Sequence, residues 1–409
     1  IAITICEDAW NDKNFWRQRL YPIDPVEALM QQGADLIINI SASPYERDKR
    51  ETRRKMLASI AERHRVPVVM VNQTGGNDCL VFDGSSLVIR GDGELVAQAK
   101  SFEEDLLLID TAALPPSFAI HETERDEDAA VYQALVLGTR DYIHKCGFSQ
   151  AIVGLSGGID SALVAAIAAE AVGSENVIGV GMPSEYSSQG SIDDARILAE
   201  NLGIRWEMIP IRDLFQANIT ALEPLLRNYA PDITEENLQA RIRGTLLMAL
   251  SNKLSALVLA TGNKSEMSTG YCTLYGDMVG ALAVIGDVYK TCVYRLARHV
   301  NREREIIPEN TISKPPSAEL RPGQQDTDSL PAYDVLDPIL QAYIERHESA
   351  EEIARNNLGG PVDLQLVRSI LRMVERSEYK RQQAAPVLKV TQKSFGFGRR
   401  FPIAAKVQI

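Results

Sequence analysis

Gly154-Leu155-Ser156-Gly157-Gly158-Ile159-Asp160-Ser161 follows the apolar run Ala151-Ile152-Val153 and opens the helical pattern Ala162–Val172. Glycines at such a junction let backbone N–H groups converge on phosphate oxygens with no Cβ in the way, and the helix N-terminus adds partial positive charge. Ser156 and Ser161 offer hydroxyl donors, and Asp160 is placed as a magnesium ligand. The stretch has no Lys of the GxxxxGK[ST] kind, which disfavours a γ-phosphate clamp. An ordinary strand-to-helix turn would account for the glycines but not for the whole Ser-Gly-Gly-x-Asp-Ser string.

Outward from this loop, strand Val177–Met182, helix Ile192–Leu202 and strand Arg205–Ile209 predict a doubly wound parallel sheet. Helical patterns dominate from Glu235 to Arg304, and Ser313–Tyr333, rich in Pro, Gln and Asp, reads as a long loop, which in a compact domain is usually functional or disordered. Toward the N-terminus, Ile1–Ile5, Pro25–Gln32, Asp35–Ile40, Glu46–Arg65 and Val66–Asn72 alternate as strand and helix in βαβ fashion. Ser86–Arg90 and Leu95–Lys100 flank Gly91-Asp92-Gly93, a hairpin signal. Leu114-Pro115-Pro116 and the acidic stretch Glu122–Asp128 interrupt the periodicity, and a helical pattern begins at Ala129, so the domains are expected at 1–116 and 117–409.

With 409 residues, 45% hydrophobic, the chain can bury two cores. A formal net charge of −12 argues against nucleic-acid binding, which needs a basic face. No apolar run reaches the roughly 18–20 residues of a membrane span. The five cysteines show no paired spacing, which fits a reducing, cytoplasmic setting. The chain opens on Ile1-Ala2-Ile3-Thr4-Ile5, a strand in progress, and a further N-terminal stretch is expected.

The loop Gly154–Ser161 resembles the pyrophosphate loop of the ATP pyrophosphatases. Thr261-Gly262-Asn263-Lys264-Ser265-Glu266, Tyr271, Tyr275-Gly276-Asp277 and Asp287-Val288-Tyr289-Lys290 narrow the resemblance to the NAD synthetases. The ending Phe395-Gly396-Phe397-Gly398-Arg399-Arg400-Phe401-Pro402-Ile403 is similar to that of their glutamine-dependent, two-domain form. The resemblance implies a ligase that activates the carboxylate of deamido-NAD with ATP and magnesium, then amidates it with ammonia from L-glutamine. It implies that Gly154, Leu155, Ser156, Gly157, Gly158, Ile159, Asp160, Ser161, Thr261, Lys290 and Ser317 contact ATP. Ser317 stands where ammonia-using relatives carry Thr. Asn237, Glu266, Asp277 and Lys380 are the implied contacts of deamido-NAD, and Asp160 and Glu266 those of magnesium, whose hard charge suits carboxylate oxygens. A homo-oligomer is implied as well.

Thr4-Ile5-Cys6-Glu7-Asp8, with Trp10, is similar to the nucleophile strand of nitrilase-type amidases. A lone cysteine in an apolar strand is more often an inert core residue. Here the resemblance makes Cys6 the nucleophile that attacks the glutamine amide, with Ser43 and Lys49 holding glutamine. The family's triad is completed by a Glu and a Lys far N-terminal to the cysteine, roles not given to Glu7 or Asp8. The implied fold is α/β: a partial nitrilase-like α/β sandwich followed by a doubly wound parallel-sheet ATP pyrophosphatase domain. Another amidotransferase with the same loop, or a fold-retaining scaffold without chemistry, is the competing expectation. Ser156, Asp160, Thr261 and Glu266 together argue against the scaffold.

Overall fold

The computed structural model describes residues 1–16, 21–111, 119–121, 126–356, 362–400 and 402–405. The chain divides into two compact units, Ile1–Gly138 and Thr139–Ile409. The boundary expected between 116 and 117 lies outside the described residues.

In the first unit the elements are β1 (Ala2–Ile5), α1 (Pro25–Met30), β2 (Ile37–Ser41), α2 (Lys49–His64), β3 (Val68–Asn72), the hairpin β4 (Thr74–Asn77) and β5 (Leu80–Asp83), then β6 (Leu87–Ile89), β7 (Leu95–Gln98), β8 (Ala119–Ile120) and α3 (Glu127–Lys145), within which the second unit begins. The main sheet has the order β1-β2-β3-β6-β7-β8. Its first three strands are parallel, with Ala2 opposite Ile37 and Ile37 opposite Val68. Helix α2 buries Arg53, Met56, Leu57, Ile60 and Ala61, an i, i+3, i+4 stripe that packs on Ala2, Ile37, Val68 and Met70. The hairpin signal is realised between β6 and β7, with Gly93 at φ +87° closing the turn.

The second unit follows with β9 (Ala151–Gly154), α4 (Ile159–Val172), β10 (Val177–Gly181), α5 (Gln189–Leu202), β11 (Arg205–Met208), α6 (Arg212–Leu226), α7 (Ile233–Leu254), β12 (Leu257–Ala260), α8 (Lys264–Thr269), β13 (Leu282–Ala283), α9 (Lys290–Val300), α10 (Glu309–Ser313), α11 (Tyr333–Ile344), α12 (Ala350–Arg355), α13 (Leu364–Arg376) and α14 (Glu378–Arg381). The sheet is parallel, in the order β11-β10-β9-β12-β13. The chain therefore winds outward from β9 in one direction and returns to β9's other side with β12. In open α/β sheets, ligands bind outside the carboxyl ends of the strands at such a reversal, here the crevice between β9 and β12. Helices dominate Glu235–Arg304 as expected, and the strand β12 among them is not anticipated from the sequence. Its Leu-Val-Leu-Ala run is buried on both faces, and periodicity alone does not separate such a strand from a buried helix.

Helix α13 buries Val367, Ile370, Leu371 and Val374 against Leu336, Ile339 and Leu340 of α11. This cluster reaches Met267 of α8, so the C-terminal helices back the crevice. No helix among the described residues is long and apolar enough to cross a membrane.

Candidate active sites

The carboxyl end of β9 delivers the chain into the glycine loop. Gly157 has φ +79°, and a Cβ there would stand 2.8 Å from both Cα and the carbonyl carbon of Ser191. Only glycine allows this approach to the first turn of α5. The serines divide the work of shaping the loop. Ser161 Oγ donates to the Gly158 carbonyl at 2.9 Å and accepts from Ser156 N at 3.3 Å, while Gly158 N donates to Ser156 Oγ at 3.2 Å. Ser161 is buried and Ser156 exposed, so Ser161 closes the loop and Ser156 offers its hydroxyl outward.

The carboxyl end of β12 delivers Thr261-Gly262-Asn263 to the same crevice. Asn263 caps α8 by accepting from Glu266 N at 3.0 Å, and Asn263 N donates back to the Glu266 carboxylate at 3.1 Å, a reciprocal capping box. The Asn263 amide also donates to Asp160 Oδ1 at 2.9 Å. The Lys290 ammonium pairs with the other Asp160 oxygen and stands 3.9 Å from Glu266 Oε1. Lys290 is buried, with Nζ 5.6 Å from the Tyr333 ring centre. Its backbone N donates to Ser265 Oγ at 2.9 Å, and that hydroxyl donates to Asp337 at 2.6 Å.

Burial raises the pKa of Glu266 well above the usual carboxylate range, and the neighbouring Asp160 charge adds to the rise while Lys290 opposes it. Burial disfavours the Lys290 charge, but Asp160 and Glu266 together outweigh it and the pKa ends above the ordinary lysine value. Asp160 and Glu266, crowded about one lysine, offer hard oxygen ligands to a further cation, whose charge would favour the ionised form of Glu266. No group of three or more His, Cys, Asp or Glu spaced for a metal occurs among the described residues. Two hard carboxylates nevertheless fit magnesium, which usually takes one or two from protein and the rest from phosphates and water.

A cavity of about 310 Å³ opens over this floor. Of the expected ATP contacts, Gly154, Leu155, Ser156, Gly158, Ile159, Asp160, Ser161, Thr261, Lys290 and Ser317 line it, while Gly157 is turned against α5. Ser317 spends its hydroxyl proton on the Gln324 carbonyl at 2.6 Å. Arg243 also lines the cavity, its pKa pushed down to about 10 by burial with Glu319 acting in the opposite direction, and such a cation favours an anionic ligand.

Among the expected deamido-NAD contacts, Glu266 and Asp277 line the cavity, and Asn237 and Lys380 do not. Asn237 accepts from Thr273 Oγ1 at 2.7 Å, and Lys380 donates to the Gly270 and Cys272 carbonyls, each at 2.7 Å. Asp277 accepts from Thr273 N at 2.6 Å. All three brace the segment Gly270–Asp277 that borders the cavity. Sequence reasoning gave no role to Asn263, Arg243 or the Ser265–Asp337 pair. Asn263 stood inside a quoted motif and had a visible signal, an Asn three residues before Glu.

In the first unit, Cys6, Ser43 and Asn72 lie at or just beyond the carboxyl ends of the adjacent parallel strands β1, β2 and β3. Cys6 has φ +46° where β1 turns into a short 3-10 helix, a strained placement of the kind that collects at reactive positions. Asn39 donates to the Cys6 carbonyl at 3.3 Å and to Thr4 Oγ1 at 3.0 Å, holding this turn. Asp8 accepts from Ile5 N and Glu7 from the Tyr21 hydroxyl. Lys49 donates to the Pro44 carbonyl at 3.1 Å.

Ser43 N donates to Asn72 Oδ1 at 2.8 Å, and the Asn72 amide donates to Asp83 Oδ1 at 3.1 Å. Arg53 grips both oxygens of Asp83 at 3.2 and 2.6 Å, with both side chains buried. Arg53→Met leaves Asp83 buried without its cation, and the expected loss of stability is about 3–5 kcal/mol. Urea unfolding followed by tryptophan fluorescence measures it, since Trp10 and Trp16 lie in this unit. A loss below about 1 kcal/mol would mean that the pair is dispensable.

Residues 131–384 match the NAD synthase family and residues 19–114 the carbon-nitrogen hydrolase family. The glutamine-dependent NAD(+) synthetase of Synechocystis is 51% identical over 412 residues, a match covering 99% of this chain and 72% of that protein. The Thermotoga maritima protein of the same name is 45% identical, with 98% of this chain and 74% of that one covered. The solved glutamine-dependent NAD+ synthetase of Acinetobacter baumannii, in complex with ADP, is 42% identical with a TM-score of 0.69, covering 98% of this chain and 72% of that one. The NMN synthetase of Francisella tularensis is similar to 62% of this chain and 96% of its own, at 26% identity and a TM-score of 0.53.

Proposed function

The chain belongs to the glutamine-dependent NAD(+) synthetases, carbon-nitrogen ligases that amidate deamido-NAD, and from that premise we propose how its own residues divide the work. Those backbone N–H groups of Gly154–Ser161 that the loop does not use internally, together with the Ser156 hydroxyl, hold the departing pyrophosphate. Lys290, seated between Asp160 and Glu266, puts a fixed positive charge beside it, and this seating is the observation that carries the proposal. Asp160 and Glu266 would hold magnesium, which when bound would neutralise charge on the phosphates. The nicotinate carboxylate attacks the α-phosphorus and pyrophosphate leaves. Ammonia then attacks the acyl carbon and AMP leaves. Asp277 borders the deamido-NAD position, while Asn237 and Lys380 serve it by holding Gly270–Asp277 in place. Ammonia comes from glutamine, whose amide carbon Cys6 attacks to form a thioester as the C–N bond breaks, and water then hydrolyses the thioester to glutamate and the free thiol, with Ser43 and Lys49 beside it.

The test is NAD formation from deamido-NAD, ATP and magnesium with ammonium or glutamine as nitrogen donor, counting AMP and pyrophosphate. One AMP and one pyrophosphate per NAD is the expected result. Phosphate and ADP in their place would overturn the assignment of the loop. The homo-oligomer belongs to the same proposal and is read by light scattering, as the cytoplasmic setting is by cell fractionation.

A further inference from the structure

Beyond residue 384, where the NAD synthase match ends, the chain returns to the β13 edge of the sheet. Ala283 N donates to the Pro386 carbonyl at 2.8 Å, and Val387 pairs in parallel with Ala283, extending the sheet past β13. Asp287 then takes the backbone N–H groups of Val390 and Thr391 at 2.8 and 2.7 Å, and the Thr391 hydroxyl lies 2.9 Å from each Asp287 oxygen. Lys264 points into the same knot. Its ammonium lies 2.9 Å from Asp287, 2.9 Å from Glu345, 2.6 Å from Thr391 Oγ1 and 2.8 Å from the Lys393 carbonyl, and it is wholly buried.

Thr391 thus accepts from Lys264 and donates to Asp287 with one hydroxyl. The position of those two partners in the sequence gives the contact its reach. Lys264 stands between Asn263, which holds Asp160, and Ser265 and Glu266, so the anchoring of its side chain bears on the segment that carries all three. Asp287 stands three residues before Lys290. The segments that carry Glu266 and Lys290 to the cavity floor are tied to one another by the Lys264–Asp287 pair, by Lys264 N on the Val288 carbonyl at 2.9 Å and by Lys290 N on Ser265 Oγ, and the Thr391 hydroxyl bonds both members of that buried pair. We propose that Thr391 is a positioning residue of the synthetase site, acting through Lys264 and Asp287 on Asp160, Glu266 and Lys290. Without this hydroxyl the ammonium keeps Asp287, Glu345 and the Lys393 carbonyl and Asp287 keeps two backbone N–H groups, but each loses one hydrogen bond in a buried charged network, where such bonds are stronger than in water.

The inference rests on the synthetase reading. Thr391→Val keeps the shape and removes the hydroxyl, and Thr391→Ser keeps the hydroxyl. With ammonium as donor, kcat/KM for ATP is expected to fall roughly 10- to 100-fold in Thr391→Val, the range for residues that orient a site's ligands. KM for ammonium stays within about twofold, since the knot lies under the phosphate floor, and Thr391→Ser keeps wild-type values. A purely structural role would lower the unfolding midpoint of Thr391→Val but leave these constants alone at 25 °C, and that outcome overturns the proposal. So does an equal loss in Thr391→Ser. Calorimetric affinity for ATP with magnesium gives the same comparison without turnover: it must weaken in Thr391→Val and hold in Thr391→Ser. Wild-type protein that forms no NAD from ammonium would overturn the synthetase reading, while the calorimetric comparison still decides the role of Thr391. Should Thr391→Val fail to fold, Thr391→Cys replaces it, and affinity must then fall from Thr or Ser to Cys.

Discussion

Gly157→Ala is expected to lower kcat/KM for ATP by about 100-fold, the penalty of misplacing reactive groups by about an ångström. Two effects add. The backbone at φ +79° lies in the left-handed region, where a Cβ costs about 1–2 kcal/mol. The new Cβ would also meet the backbone of Ser191, which cannot swing aside as a long side chain can. Ser191 is fixed in the first turn of α5, where its N–H donates to the Ser188 cap at 3.2 Å and its hydroxyl donates to Glu319 at 2.7 Å. The phosphate loop must therefore give way, and its N–H groups lose their common focus. Gly158 supplies the control. Its φ is −84° and an added Cβ meets only the Ser156 hydroxyl at 3.2 Å, so Gly158→Ala should cost far less. Steady-state kinetics with ammonium compares the two, and equal losses would show that the close approach to α5 is not what position 157 requires.

Cys6→Ala is expected to remove glutamine-dependent NAD formation by roughly 10³-fold or more, as loss of a covalent nucleophile does. Activity with ammonium should stay within about twofold, because adenylation and amidation use residues of the other unit. The comparison is made on protein active with both donors. Parallel loss of both activities would mean that Cys6 supports folding, and retained glutamine use would pass the nucleophile to another group. The φ of +46° at Cys6 bears on the design, since alanine must adopt the same strained backbone. Circular dichroism should therefore accompany the kinetics.

Legibility followed the range of the interactions. Gly154–Ser161 stood out as a candidate phosphate loop because its glycines, serines and strand-helix position all lie within eight positions. The Cys6 segment and the βαβ order of the first unit were readable for the same reason. Strand β12 was not, because a four-residue apolar run buried on both faces carries no period. Lys380 and Asn237 show a subtler limit. Their residue types suit substrate contact, yet the fold turns both onto backbone and side chain of Gly270–Thr273.

The sequence by itself determined the family of reaction and the two-part organisation, and it singled out the candidate phosphate loop and the candidate nucleophile. Tertiary structure decided which side chains share one charge balance. Asn263 reaches Asp160 across 103 positions, Lys290 reaches it across 130, and Thr391 reaches Lys264 across 127. Such pairings depend on strand order, parallel register and the return of the chain to the edge of the sheet, which long-range packing fixes. Local periodicity and short motifs report only what neighbours in the chain do to one another.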